Sequence, residues 1–426
     1  MKKNKFIKIL SNKNFLLIWL SQLFSLISAS LLNFVLIGRI YSSTQSTVAV
    51  GFFLFFYYLP TMILGPFVGV FIDNWSKKKI FIFSNLFQSV IVLTYLGVSQ
   101  KIWPIYAIVL LYSLCDEFFN PAVLASVPGI IGKNYYPLAN SLLFLTTESS
   151  TILGFLAGGM MIKFLPNQNL IFGIVSFLLL LATLFSLSLP EKPFEGSKKL
   201  KLDFSDPLNL SKNLDLAEFW QQIKEGYSFI KNESKVLFPL LLLSGLQALM
   251  GMGMIVFPSL AQMIKISFAD ASFLLIIPTI FGALIGGALV GKKIRKIRKN
   301  VLVIGGLSSI GIICLFFSGL SLFLTPPFIL VVFLTVALGI SYMFIYIPLQ
   351  VLIQENTPFD VRGRVFGTLS TLITLGSFFP MLITTSLVDL LGLQIVLFLF
   401  GLGILTLAFF AKKNFQLILS LGNKNG

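Results

Sequence analysis

Histidine is absent from this chain of 426 residues, and cysteine occurs only twice. The first absence removes zinc sites of the usual kind, Ser–His–Asp chemistry and the commonest proton-relay side chain. Cys115 and Cys314 stand apart inside apolar runs, with no paired metal spacing. They read as small buried residues, and no metal centre is expected. Charge is scarce too. Asp, Glu, Lys and Arg supply 11% of the residues and hydrophobic residues 56%, which is too little polarity to solvate a globule of this length. No GxxxxGK[ST] phosphate loop occurs, so ATP is not the expected energy source and no cofactor is called for. With no nucleophile–base pair in view, an enzyme is the least favoured class.

What the chain has instead is long apolar stretches, twelve of them. They fall at 15–40, 48–72, 80–98, 103–127, 138–162 and 170–189 in the first half. In the second half they fall at 236–264, 271–290, 301–320, 326–351, 365–388 and 391–411. The runs are continuous rather than alternating, and a bilayer core needs roughly 20 apolar residues per helix, so helices are expected and a barrel is not. The Gly-rich turn after the second stretch, GPFVGVFIDNWSKKK (Gly65 to Lys79), is echoed after the eighth by GALIGGALVGKKIRKIRK (Gly282 to Lys299). Gly65 and Gly69 align with Gly282 and Gly286 at an offset of 217 residues, about half the chain. Two similar six-helix halves suit a transporter whose substrate site lies between two rigid bodies. The expected organisation is an N-terminal bundle over 1–189, a cytoplasmic linker over 190–235, a C-terminal bundle over 236–411 and a cytoplasmic tail over 412–426.

The net charge of +16 is a topology signal rather than a nucleic-acid footprint. All Lys and Arg lie in the termini and alternate loops except Arg39, Lys101, Lys163 and Lys265. The positive-inside rule then places both termini and the central segment in the cytoplasm, with the helices in the cell membrane. The charged N-terminus resembles a signal peptide's start, but the first apolar run is too long for one and no small-residue cleavage site follows. Within the linker, Leu216, Trp220, Ile223, Tyr227 and Ile230 recur at helical spacing, which predicts an amphipathic helix at the inner membrane surface or under helix 7.

Four segments carry a family resemblance: GVFIDNWSKKK, FNPAVLASVPGIIGKNYYPLANSL, FWQQIKEGYSFIKNESKVLFPLL and QENTPFDVRGRVFG. Over nearly its whole length the chain resembles the major facilitator superfamily. Within it, the chain is similar to the drug:proton antiporter group that includes macrolide-efflux-like and enterobactin-exporter-like permeases. The resemblance implies an all-α membrane protein of twelve transmembrane helices in two pseudo-symmetric six-helix bundles, with helices 1, 4, 7 and 10 lining the cavity. It also implies a gating loop made of Gly65, Gly69, Asp73, Lys77, Lys78 and Lys79, with Arg362 and Arg364 as candidate partners near helix 11. Val290 or Gly291 stands where a second Asp73 would align, and Ala29 stands where the group often carries an acid in helix 1.

Three acids sit where an acid is costly: Asp116 and Glu117 in the fourth stretch and Glu148 in the fifth. A charge at that depth costs about 2.5–3.5 kcal/mol on insertion scales, so each should face a cavity, pair, or take up a proton. They are the candidate proton-coupling residues, with a polar brace as the alternative role. Gly154, Gly158 and Gly159 resemble the antiporter motif of exporters, with Phe155 in place of its usual Pro, and small residues there would allow close helix packing. Met250, Met252 and Met254, with Tyr342, Tyr346 and Gln350, are candidate adaptable contacts for a greasy cargo. The resulting expectation is a monomeric secondary transporter that exports amphipathic small molecules by alternating access, with protons as coupling ion. A lipid or lysolipid flippase and a non-transporting membrane sensor remain alternatives.

Overall fold

The computed structural model describes residues 9–97, 102–132, 135–165, 167, 169–191, 228, 231, 233–293, 297–320, 327–357 and 362–422. Among them twelve long helices run in order and no strand occurs. In the first half these are α1 (Lys13–Thr44), α2 (Thr47–Asn74), α3 (Lys77–Thr94), α4 (Trp103–Ile130), α5 (Tyr136–Phe164) and α6 (Asn169–Leu187). After the linker comes α7 (Ser234–Met263), and then α8, made of Phe268–Ala271, a π-turn at Ser272–Ile276 and Ile277–Lys293. The last four are α9 (Lys299–Gly319), α10 (Phe328–Asn356), α11 (Arg362–Leu391) and α12 (Leu393–Gly422). Ten of the twelve are long and apolar enough to cross a membrane. The others are α3, which opens on three lysines, and α11, where Phe378–Leu391 is a shorter apolar run. The helix expected within the linker falls largely outside the described residues, as do the surroundings of Gly69, Asp73, Arg362 and Arg364.

Large hydrophobics such as Phe87, Phe177, Phe281 and Phe333 are exposed on the outside of these helices. In water such a surface would aggregate, whereas hydrocarbon solvates it. The chain is a multi-pass membrane protein.

Two compact units divide the chain: Met1–Gln45 with Phe52–Leu214, and Ser46–Gly51 with Asp215–Gly426. In the first, α1 packs on α5 and α6, and α3 packs on α4 and α6. The absence of side chains at two positions explains how α5 approaches α1. A Cβ on Gly154 would fall 2.5 Å from Ser30 Cβ, and one on Gly158 would fall 2.9 Å from the Phe34 ring. Hydroxyl pairs tie other helices together, with Ser21 and Ser186 oxygens 2.9 Å apart and those of Ser89 and Ser176 2.8 Å apart. Such bonds matter in a membrane because lipid gives helices no hydrophobic reason to associate.

In the second unit α10 is the hub, packed against α7, α8 and α9. Val236, Leu240, Val303, Ile345 and Leu349 form part of its core. The α8–α10 crossing comes closest at glycines: a Cβ on Gly282 would lie 2.0 Å from the Val336 carbonyl oxygen, and one on Gly339 would lie 1.9 Å from that of Thr279.

The same unit contains the first turn of α2, capped by a residue distant in sequence. Asp389, near the end of α11, accepts hydrogen bonds from Thr47 N at 2.8 Å, Val48 N at 3.2 Å and the hydroxyls of Ser46 and Thr47. A carboxylate there satisfies orphan N–H donors and meets the positive end of the helix dipole. Asp389→Ala is expected to cost about 1 kcal/mol, the usual worth of a cap. The fall should appear as a lower melting temperature of the purified protein, and an unchanged temperature would refute the capping role.

Candidate functional site

The most concentrated polar chemistry inside the first unit surrounds the two acids of α4. Consecutive residues on a helix point about 100° apart, so neighbouring acids must find different partners. They do. Glu117 accepts a hydrogen bond from the Thr61 hydroxyl of α2 at 2.6 Å. Asp116 instead accepts from the Gln88 amide of α3 at 3.4 Å, with Tyr57 of α2 beside it. Tyr57 and Thr61 are four residues apart on α2, hence on one face, the face that meets the adjacent acids of α4.

The cluster extends further. Asn33 of α1 lies beside Tyr57, and the Gln88 amide also donates to the Tyr112 carbonyl at 3.4 Å. Four helices thus contribute polar groups around Asp116, through Asn33, Tyr57, Gln88 and Tyr112. Gln88 and Tyr112 are fully buried. Among the described residues, Asn33 Oδ1, Gln88 Oε1 and the Tyr112 hydroxyl lack a hydrogen-bond partner. Leaving a buried polar atom unpaired costs about 1–3 kcal/mol, which a purely structural brace would avoid by using apolar side chains. No lysine or arginine among the described residues pairs with Asp116. A carboxylate held by neutral donors alone is accommodated inside a membrane by facing a water-filled cavity or by gaining a proton or a cation.

The other sequence candidates are more dispersed. Glu148 lies on an exposed face of α5. Gly154, Gly158 and Gly159 are all buried, and the first two pack directly on α1. Gly65 lies beside the α4 acids, where an added Cβ would make ordinary contact, 3.6 Å from Glu117 Oε1. Tyr342 and Tyr346 stack at 5.6 Å between ring centroids and pack against the second unit's core. Met252, Met254 and Gln350 are half-buried, and Met250 is exposed. Arg39, expected at the outer end of α1, sits over the Phe172 ring at 5.6 Å. Lys77 and Lys78 are half-buried and Lys79 exposed, at the start of α3.

Asn33, Tyr57, Gln88 and Tyr112 join the Asp116 cluster without being among the residues expected from the sequence. The signal was present, since an amide inside an apolar helix marks a polar contact in the bundle.

Comparison with known proteins agrees with this architecture. The chain is 23% identical over 412 residues to macrolide efflux protein A of Streptococcus pyogenes, covering 92% of this chain and 94% of that protein. It is 25% identical over 363 residues to the enterobactin exporter EntS of Escherichia coli O1:K1 / APEC, covering 82% of this chain and 79% of the other. Among solved structures, the POT family transporter PepTSo superposes with a TM-score of 0.70 at 11% identity, covering 95% of this chain and 98% of that one, which shows the fold. Residues 18–381 match the Major Facilitator Superfamily, and with twelve long helices and relatives named for efflux, the chain belongs to that family of membrane transporters.

Proposed function

We propose that this transporter exports amphipathic small molecules by proton-coupled alternating access, and that Asp116 carries the coupling proton. The observation that carries the reading is the Asp116 carboxylate, held by the Gln88 amide beside Tyr57 without a basic partner among the described residues. Its charge changes when it gains or loses a proton, and such a change can bias two access states whose energies differ by a few kcal/mol. The unpaired atoms of Gln88, Tyr112 and Asn33 offer further hydrogen-bonding stations for a proton or for water. Export is the direction named for the macrolide and enterobactin relatives. Both termini lie in the cytoplasm in this reading, the protein works as a monomer in the cell membrane, and residues 1–189 and 236–411 are the two halves that alternate access.

The test is a panel of labelled amphiphiles in cells lacking other exporters, with and without an uncoupler. Expression should lower accumulation of at least one compound, and the uncoupler should abolish that effect. Efflux that persists after uncoupling would overturn proton coupling; no change for any amphiphile, or raised accumulation, would overturn export.

The basic turn after α2 is the inner gate in the same reading. Asp73→Asn should slow transport by about tenfold, the scale of a typical coupling free energy, while folded yield stays unchanged. Rates normalised to purified protein provide the check, and normal turnover would remove Asp73 from the gate.

A further inference from the structure

Apart from the Asp116 cluster, the first unit has a second feature, which shares Lys79 with the basic turn after α2: a cavity of about 580 Å³ against α3 and α4. Its lining begins with Trp75, Ser76 and Lys79 at the start of α3 and runs past Phe83 and Phe87 to Leu114, Cys115 and Phe118 of α4. Lys79 and Phe87 are eight residues apart, so the groove reaches about 12 Å along the helix. Aromatic pairs stiffen its walls. Trp75 and Phe118 stack with centroids 6.5 Å apart, and Phe83 stacks on Phe87 at 6.1 Å. Trp75, Phe83 and Phe87 are 42%, 53% and 55% exposed, so the groove belongs to the outer surface of the bundle.

The two ends differ in chemistry. Away from Ser76 and Lys79 the lining is apolar apart from the Cys115 thiol and the Ser84 hydroxyl. The mouth carries Lys79, with Lys77 and Lys78 beside it in the first turn of α3, a turn that contains no acid. A helix N-terminus already carries partial positive charge, so three lysines there add like charge to like and leave a strongly positive rim. An exposed Trp beside them marks the level at which membrane proteins meet lipid headgroups.

We propose that this groove is a binding site for an anionic glycerophospholipid of the leaflet on the lysine-rich side. The phosphate and headgroup meet Lys79 at the mouth, and one acyl chain lies along Phe83 and Phe87 towards Cys115. Charge complementarity selects the anionic headgroup, and the aromatic trough selects a chain over a compact polar ligand. The volume falls within the roughly 300–1,000 Å³ of ordinary small-molecule sites.

The test uses the purified full-length protein in vesicles doped with phosphatidylglycerol or phosphatidylcholine carrying a photoactivatable group midway along one acyl chain. After irradiation, peptide mapping reads where each lipid attaches. Phosphatidylglycerol should crosslink preferentially to the segments around Phe83–Phe87 and Leu114–Phe118. Lys79→Gln should reduce that attachment about fivefold, the effect of removing one lysine at an anionic surface, and Lys79→Arg should retain it. Equal labelling by both lipids, labelling spread evenly over all lipid-facing helices, or undiminished attachment in Lys79→Gln would each overturn the proposal. No transport assay enters, so the outcome is independent of the coupling reading.

Discussion

In proteoliposomes with an imposed pH gradient, Asp116→Asn should lower uphill substrate accumulation to the level left by an uncoupler. Exchange of labelled for unlabelled substrate should continue in the same vesicles. The amide keeps the shape of the carboxylate and still presents an oxygen to Gln88, its partner in the native cluster. It has no proton to release over the working pH range, so the driving force disappears while the conformational cycle survives. Glu117→Gln should be mild, because a carboxamide oxygen can still accept the bond from Thr61. Glu148→Gln, on an exposed face of α5, should leave coupling intact. Native accumulation in Asp116→Asn would end its role as carrier, and loss in Glu148→Gln alone would move the coupling site to α5.

The largest expected effect on stability is at the α8–α10 crossing. Gly339→Ala would place a Cβ 1.9 Å from the Thr279 carbonyl oxygen and 2.7 Å from Ala283 N. Both are backbone atoms, so neither can swing aside as a side chain would. Overpacking ordinarily costs about 1–3 kcal/mol, and this backbone-on-backbone clash belongs at the upper end of that range. Thermal unfolding of the detergent-purified protein should show a clearly lower transition and a reduced folded fraction. Gly305→Ala is the matched control, because an added Cβ there meets nothing within 4 Å. If the two variants melt alike, the close crossing is not a source of stability.

These two sites show how far the sequence was legible. Helix number, all-α class and the internal repeat follow from apolar run length and glycine spacing, which are local properties. The repeat pairs Gly65 with Gly282, yet the two have different surroundings. A Cβ at Gly65 would touch a carboxylate oxygen at 3.6 Å, whereas one at Gly282 would lie 2.0 Å from a backbone oxygen. Spacing along a chain shows that a helix has a small face; it does not show what crosses that face. The same reason separates Asp116 from Glu117. Their cost in a membrane was readable from composition, but their partners come from α2 and α3, more than twenty residues away. Tyr342 and Tyr346 illustrate the converse, since an aromatic pair chosen as a cargo contact also packs against the core of its own unit.

The π-turn at Ser272–Ile276 changes how α8 tolerates alterations in length. A π-turn holds one residue more than an α-turn, so this helix contains a built-in insertion. Removing one residue from the turn would return the segment to regular winding and leave the following helix in phase. The same deletion elsewhere in Ile277–Lys293 would rotate everything beyond it by about 100° and turn glycines away from Val336 and Ile340. Chain length is therefore negotiable at one turn of α8 and fixed along the rest of it.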